Sequence, residues 1–284
     1  SVCADDAKRF FDSQLEKWSE AAGRYDDLKK AVVSNVNLNG VNISVQYNPA
    51  RIVSTVAKID AKSISKRPCF LCDANRPAEQ IDLPLLGKYN LLVNPFPILP
   101  EHFTIPLRSH TPQRILGNYE DMMRIASSLD NYFVFYNGPK CGASAPDHMH
   151  FQAGKRGEVP LERDWDEIYW KKRTRIYPIS DEEYAEASSL EEIVDHAGMY
   201  SLRGYLCPGF AIVTRTPSAN AFLFRKLYGA LCGEGCEEEP MMNILAWVYK
   251  GVDDDSKRIV SVVIPRSKHR PECYNAEGED QILV

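Results

Sequence analysis

Gly142-Ala143-Ser144-Ala145-Pro146-Asp147-His148-Met149-His150-Phe151-Gln152-Ala153-Gly154 reads as a turn-rich loop running into a strand. Side chains of an extended chain alternate between faces, so His148, His150 and Gln152 fall on one side and Met149, Phe151 and Ala153 on the other. The apolar set suits a core. Burying three polar groups unpaired is costly, so the polar set predicts a cleft. Upstream, Gly142, Ala143 and Ser144 are small enough for backbone N–H groups to approach a ligand closely, and such a nest of amides suits phosphate oxygens. A neutral imidazole beside that nest is equipped to attack phosphorus, and the phosphoramidate it forms is reactive enough to be discharged again. The bland alternative is a pair of surface histidines or a stray metal site, because short motifs recur by chance.

Outward from this stretch, Tyr132 to Asn137 reads as a strand, preceded by a helix that Pro112 opens and that runs to Ser128. Tyr89 to Asn94 and His102 to Leu107 read as a hairpin joined by the Pro-rich turn Pro95 to Pro100. Asp5 to Lys30 is a charged amphipathic helix with Phe10, Leu15, Trp18, Tyr25 and Leu28 near one face. Strands at Val41 to Gln46 and Arg51 to Ala57 follow, and a basic loop, Lys58 to Pro68, leads to Cys69 and Cys72. Residues 155–200 are charged, rich in Trp and Tyr and without clear period, and are expected to be an insertion or linker. Beyond them come a strand at Gly209 to Thr214, a helix at Ser218 to Leu231, and strands at Met242 to Tyr249 and Ile259 to Pro265.

A short echo joins the halves: Asn90-Leu91-Leu92-Val93 and Ile105-Pro106-Leu107-Arg108-Ser109-His110 against Asn243-Ile244-Leu245-Ala246 and Ile264-Pro265-Arg266-Ser267-Lys268-His269. The expectation is an α+β fold of two related units, each an antiparallel sheet flanked by helices. Residues 1–47 supply the N-terminal helix and first strand, 48–154 the catalytic unit, 155–200 the linker and 201–284 the second unit. The chain starts at Ser1 rather than Met and stops at Val284 within an apolar pattern, so the second unit is expected to be truncated.

Composition narrows the function. The 284 residues are 26% charged with a formal net charge of −5, which lacks the basic stripe of a nucleic-acid-binding surface. No run has the length of a membrane span, and residues 1–20 carry no apolar signal-peptide core. The eight cysteines are dispersed, and without an export signal a reducing cytoplasm is expected, where close cysteines bind metal or stay free. Cys232 and Cys236, in a Gly/Glu-rich segment, read as free thiols.

His148-Met149-His150-Phe151-Gln152-Ala153 resembles the H-x-H-x-Q signature of the transferase branch of the histidine-triad (HIT-like) superfamily. That branch includes galactose-1-phosphate uridylyltransferases, dinucleoside-polyphosphate phosphorylases and GDP-hexose phosphorylases. The Phe-Gln-Ala continuation is most similar to the GDP-hexose phosphorylases, and the chain also resembles an uncharacterised bacterial family within the superfamily. The resemblance implies that His150 is the nucleophile and that Gln152 holds the phosphoryl group where the hydrolase branch has a third His. Asn94-Pro95-Phe96-Pro97 followed by His102-Phe103-Thr104-Ile105-Pro106 is similar to the family's hairpin, whose Asn lies by the nucleotide. Asn94, Asn137, Gly142 and Ser144 therefore form the candidate nucleotide- and phosphate-binding set, joined by Arg51 in Tyr47-Asn48-Pro49-Ala50-Arg51, since Arg suits bidentate phosphate contact. A solvated surface Arg is the other reading of Arg51.

Cys69-Phe70-Leu71-Cys72 has spacing that lets both thiolates reach one ion, and by itself it leaves a redox pair or free thiols open. The uridylyltransferases place a similar pair before the hairpin, and that resemblance implies a structural zinc held by Cys69, Cys72, His110 and His148. His269 lacks a cysteine pair before it and is assigned no metal. Lys66 and Arg67 read as surface charge, Asp253-Asp254-Asp255 as a solvated hairpin turn, and Trp165, Tyr169, Trp170 and Tyr177 as core packing or a cover for the site or a dimer interface.

The activity expected is two-step nucleotidyl transfer through a covalent nucleotidyl-His150, with ping-pong kinetics. A nucleotide-sugar leads as substrate, with phosphate or a sugar 1-phosphate as acceptor. A sugar-1-phosphate nucleotidyltransferase and a dinucleoside-polyphosphate phosphorylase are the alternatives within the class. A non-catalytic nucleotide-binding or zinc-stabilised scaffold is the alternative outside it. A homodimer, with no nucleic-acid or membrane partner, completes the expectation.

Overall fold

The computed structural model describes residues 2–49, 61–177, 198–205, 208–233, 235–250 and 256–276. Arg51, the strand expected at Arg51 to Ala57 and the run Asp253 to Asp255 lie outside the described residues.

Alternating apolar runs separated by short turns build an antiparallel sheet of ten strands. These are β3 (Leu83–Leu85), β4 (Tyr89–Val93), β5 (His102–Pro106), β6 (Tyr132–Asn137), β7 (His150–Lys155), β8 (Arg173–Tyr177), β9 (Gly198–Leu202), β10 (Gly209–Thr214), β11 (Met242–Lys250) and β12 (Lys257–Pro265). The spatial order is β3-β4-β5-β7-β6-β11-β12-β10-β9-β8. Read inward from its two edges, the order of the last five strands mirrors that of the first five. The two sets meet where β6 pairs with β11, Asn137 opposite Asn243 and Phe135 opposite Leu245. The mirror matches β6 to β11 and β7 to β12. The short sequence echo instead matched β4 to β11 and β5 to β12, so it does not join equivalent strands.

Helices α1 (Ala4–Lys17), α2 (Ser19–Leu28), α4 (Tyr119–Ser128) and α7 (Pro217–Cys232) pack on one face of the sheet; the short helix α3 (Ala61–Lys66) precedes Cys69. In α4, Met122, Met123, Ile125 and Ala126 form a helical stripe that is wholly buried, and Glu120 and Asp121 face the positive end of its dipole. Tyr119 of α4 stacks on Phe224 of α7 with ring centroids 3.7 Å apart. Phe224 is fully buried, and truncating such a ring to Ala costs about 3–5 kcal/mol. Pro217 at the first turn, a Thr216 side chain accepting from the Ala219 N–H at 3.3 Å, and Gly233 at φ +69° bound α7 as its sequence implies.

Four elements depart from expectation. The N-terminal helix is two helices, broken at buried Trp18 (φ −123°, ψ 84°); the turn brings the Tyr25 hydroxyl to the carbonyls of Asn94 (3.0 Å) and His102 (2.9 Å). The helix expected from Pro112 starts at Tyr119, because the Gln113 N–H is taken by the Pro146 carbonyl and the Ile115 N–H by Glu239. A strand not foreseen, β1 (Val32–Leu38), pairs with β2 (Val41–Tyr47) in a separate ribbon turned by Asn39 and Gly40, both at positive φ. Residues 155–200, expected as an insertion or linker, supply α5 (Pro160–Arg163), α6 (Trp165–Lys172), β8 and part of β9. Trp165 and Tyr169 of α6 are buried on the other face of the sheet, where Trp165 meets Trp247 of β11 at 5.3 Å. Tyr177 is buried too, so these three aromatics are core.

Cys232 and Cys236, expected as free thiols, are joined by a disulfide with Cα atoms 5.4 Å apart. Gly233 and Gly235, both at positive φ, turn the chain back between them.

Candidate active site

Helix α6 packs on the second half of that other face, and the first half carries a set of polar side chains beside Phe133 and Phe135. Across the sheet runs the row Thr104, Gln152, Phe135 and Leu245, one residue from each of β5, β7, β6 and β11. His102, His150 and Asn137 lie two residues from members of this row and so project from the same face. Phe151 and Ala153 point into the opposite core, as the alternation required.

His150 opens β7 and is 3% exposed. Its Nδ1 lies 2.8 Å from the His148 carbonyl oxygen, which can only accept, so Nδ1 carries the proton and Nε2 keeps its lone pair. Burial pushes the imidazole down to about 4, leaving the ring neutral near pH 7. Gln113 clamps the backbone: its Oε1 accepts from the His150 N–H at 2.8 Å, and its Nε2 donates to the carbonyls of His150 and Asn137, both at 3.0 Å. Gln113 itself is 1% exposed.

Gln152 accepts from His102 Nε2 at 2.9 Å. Asn137 accepts from Asn243 Nδ2 at 2.7 Å, and Asn243 also donates to the Cys141 carbonyl (2.8 Å) and accepts from Arg266 (2.6 Å). The loop between β6 and β7 turns at Gly142 (φ +94°), a conformation that favours glycine, and exposes Ser144. At Gly138 a Cβ would meet the Met242 carbonyl oxygen at 2.8 Å, so glycine is required for the loop to leave β6 against β11. Asn94, at the end of β4, accepts from the Phe96 N–H (2.8 Å) and donates to Thr104 (3.0 Å), so its side chain holds the hairpin turn beside the row.

Cys69, Cys72, His110 and His148 converge, with their ligand atoms all within 4.8 Å of one another. His148 does not lie in the strand: β7 starts at His150, and the turn before it swings His148 away from His150 toward the cysteines. The Leu107 carbonyl accepts from His148 Nε2 at 2.7 Å, which leaves Nδ1 bare and 3.3 Å from the Cys69 sulfur. His110 Nδ1 lies 3.3 Å from the Cys72 sulfur, and its Nε2 faces Asp147 at 3.8 Å. Burial works against a Cys69 thiolate, but the His148 contact and the backbone hydrogen bonds of Leu71 and Cys72 together hold the thiol below its ordinary range. Burial and the neighbouring Cys69 push Cys72 up. Two sulfurs and two Nδ1 atoms at these separations fit a closed tetrahedral metal site, with both rings oriented through their other nitrogen.

Sequence reasoning missed several contributors. Arg67, expected as surface charge, donates to the Ser144 carbonyl (3.1 Å), reaches Asp147 (3.4 Å) and lies over the Phe70 ring, bracing the loop against the cysteine segment. Gln113 carries no local motif, and His102, Asn243 and Arg266 read only as parts of the hairpin and of its echo, without a role at the site.

A histidine with a bare Nε2, a glutamine two residues on and a glycine-turned loop share one sheet face, the arrangement expected from the resemblance to the HIT-like transferases. The chain belongs to the family described as Domain of unknown function (DUF4922), which its residues 10–155 match. It is 30% identical over 149 residues to diadenosine 5',5'''-P1,P4-tetraphosphate phosphorylase 2 of Saccharomyces cerevisiae, a stretch covering 46% of each chain, so the match spans about half the length of that relative. Crystal structures of yeast Ap4A phosphorylase Apa2 share the fold. The complex with AMP gives a TM-score of 0.51 at 18% identity, covering 90% of this chain and 80% of that one. The complex with Ap4A gives 0.52 at 19%, covering 88% and 80%.

Proposed function

We propose that this protein is a nucleotidyltransferase of the phosphorylase type, working through a covalent nucleotidyl-His150. The observation that carries this reading is the proton on His150 Nδ1, held by the His148 carbonyl at 2.8 Å, which directs the Nε2 lone pair to the polar face of the sheet. In the first step Nε2 attacks the α-phosphorus of the donor, and the bond from phosphorus to the bridging oxygen breaks. The leaving group departs as a phosphate anion, which needs no strong general acid. In the second step an oxygen of inorganic phosphate attacks the same phosphorus, the P–N bond breaks, and His150 is regenerated as a nucleoside diphosphate leaves. Gln152, Asn137 and the Gly142–Ser144 amides orient the non-bridging oxygens and supply donors to the developing charge.

A dinucleoside polyphosphate is the donor best supported, because the relative matched at 30% identity over 149 residues is a diadenosine tetraphosphate phosphorylase. A nucleotide-sugar is the second reading, favoured by the His148-Met149-His150-Phe151-Gln152-Ala153 form of the motif. Cys69, Cys72, His110 and His148 would hold zinc, which supplies a structural tie between the segment before the hairpin, the chain after β5 and the turn before β7.

The test is the intact mass after incubation with Ap4A and with ADP-, GDP- and UDP-sugars, without phosphate, quenched at neutral-to-alkaline pH. A gain of one nucleoside monophosphate that is absent in His150→Ala establishes the mechanism, and the donor that gives it names the base. Nucleotide binding without any adduct would move the protein to the non-catalytic scaffold class.

A further inference from the structure

Two carboxamides on the site face, Gln152 and Asn137, could each present either an oxygen or an NH2 group to a ligand. The surrounding structure decides which. The Ile98 N–H donates to His102 Nδ1 at 3.3 Å; an amide N–H can only donate, so Nδ1 is the bare nitrogen and Nε2 carries the proton. That proton meets Gln152 at 2.9 Å, so Gln152 must turn its oxygen to His102 and its NH2 away. His102 is 2% exposed, stacks on Phe135 and has little room to reorient.

Asn137 is fixed in the same way from the second half of the sheet. Arg266 can only donate, so Asn243 turns its oxygen to the guanidinium at 2.6 Å; the Cys141 carbonyl can only accept, so the Asn243 NH2 faces it at 2.8 Å. Both constraints demand one flip, and its remaining donor takes the Asn137 oxygen at 2.7 Å. Neither the Gln152 nor the Asn137 amide nitrogen meets an acceptor among the described residues.

We propose that His102 and the Asn243–Arg266 pair are positioning residues that lock the flips of Gln152 and Asn137, so that the site offers only N–H donors to an anionic phosphoryl group. An amide presented the other way would oppose two negative oxygens with a third acceptor. The identity of the anion as a nucleotide phosphate rests on the proposed function; the locking of the amides does not.

The experiment is calorimetric binding of AMP, GMP and UMP, each against its uncharged nucleoside, to the full chain and its variants. His102→Phe should weaken the monophosphate by about tenfold, the scale of one charge-assisted hydrogen bond, and leave the nucleoside unchanged. His102→Gln, whose amide nitrogen takes the place of Nε2, should restore binding. In a Gln152→Ala background His102→Phe should cost nothing further, because its effect passes through the amide it locks. Asn243→Asp, which keeps the acceptor for Arg266 and loses the donor to Asn137, should behave likewise toward Asn137→Ala. Additive losses, equal loss of the nucleoside, or a wild-type protein that binds none of the monophosphates overturns the proposal. Monophosphate binding with this pattern but no covalent adduct overturns the catalytic reading alone.

Discussion

Gln113 closes a clamp on His150, accepting from its N–H at 2.8 Å and donating to its carbonyl at 3.0 Å. A side chain that satisfies both main-chain groups of one residue fixes where that residue's imidazole starts. Gln113→Leu should leave those buried groups unpaired and destabilise the fold by about 2–3 kcal/mol in chemical denaturation. Transfer per folded molecule should fall about 10–100-fold in single turnover, because the proposed nucleophile loses its orientation. A variant that is destabilised but transfers at the wild-type rate would show the clamp to be structural only.

His150 and Gln152 should separate by phenotype. His150→Ala removes the proposed bond-forming atom, so no adduct should form at any time. Gln152→Ala removes one proposed donor to the phosphoryl oxygens, so the same adduct should accumulate about 10²–10³ times more slowly. Rapid-quench mass spectrometry distinguishes the two.

One equivalent of zinc should be found by elemental analysis of protein purified without chelator. Cys69→Ser or His110→Ala should reduce that content and lower the thermal midpoint by about 5 °C or more, as expected where a closed site ties three separate segments. Full metal content and an unchanged midpoint in both variants would refute the assignment of these ligands.

Glu239 is buried between Tyr136 and the Ile115 N–H, and burial raises its carboxyl above the ordinary 4.5 despite both hydrogen bonds. A carboxyl whose folded value lies above its unfolded one contributes stability fully below pH 4.5, and that contribution is lost as pH rises through the folded value. The stability difference between wild type and Glu239→Gln should therefore shrink as pH increases from 4.5 toward neutrality, measured by urea unfolding at several pH values. A difference that grows with pH would reverse the sign and refute the burial argument.

Much of this was legible locally. The strand Tyr132–Asn137 and the strand Gly209–Thr214 stand where their alternation put them, and α7 runs within a residue or so of its reading because Thr216, Pro217 and Gly233 mark its ends. The short ribbon of β1 and β2 was half missed although Asn39-Gly40 is a strong turn signal; its exposed valines, Val32 and Val36 among them, pack on nothing that periodicity could register. The start of α4 was misplaced because a proline can open a helix only if the following amides are not already committed. Here Gln113 and Ile115 are held by residues far along the chain.

The sequence alone determined the face on which His150 and Gln152 project, since strand alternation is a local property, and the resemblance to the uridylyltransferases implied the four residues, Cys69, Cys72, His110 and His148, that converge in space. Tertiary structure decided what those groups can do. The tautomer of His150 depends on a carbonyl placed by the turn before β7, and the flip of Gln152 on a histidine from the neighbouring strand. The flip of Asn137 depends on Asn243 and Arg266, more than a hundred residues away. A proton's position and an amide's orientation are set by the partner in space, and that partner carries no mark in the surrounding sequence.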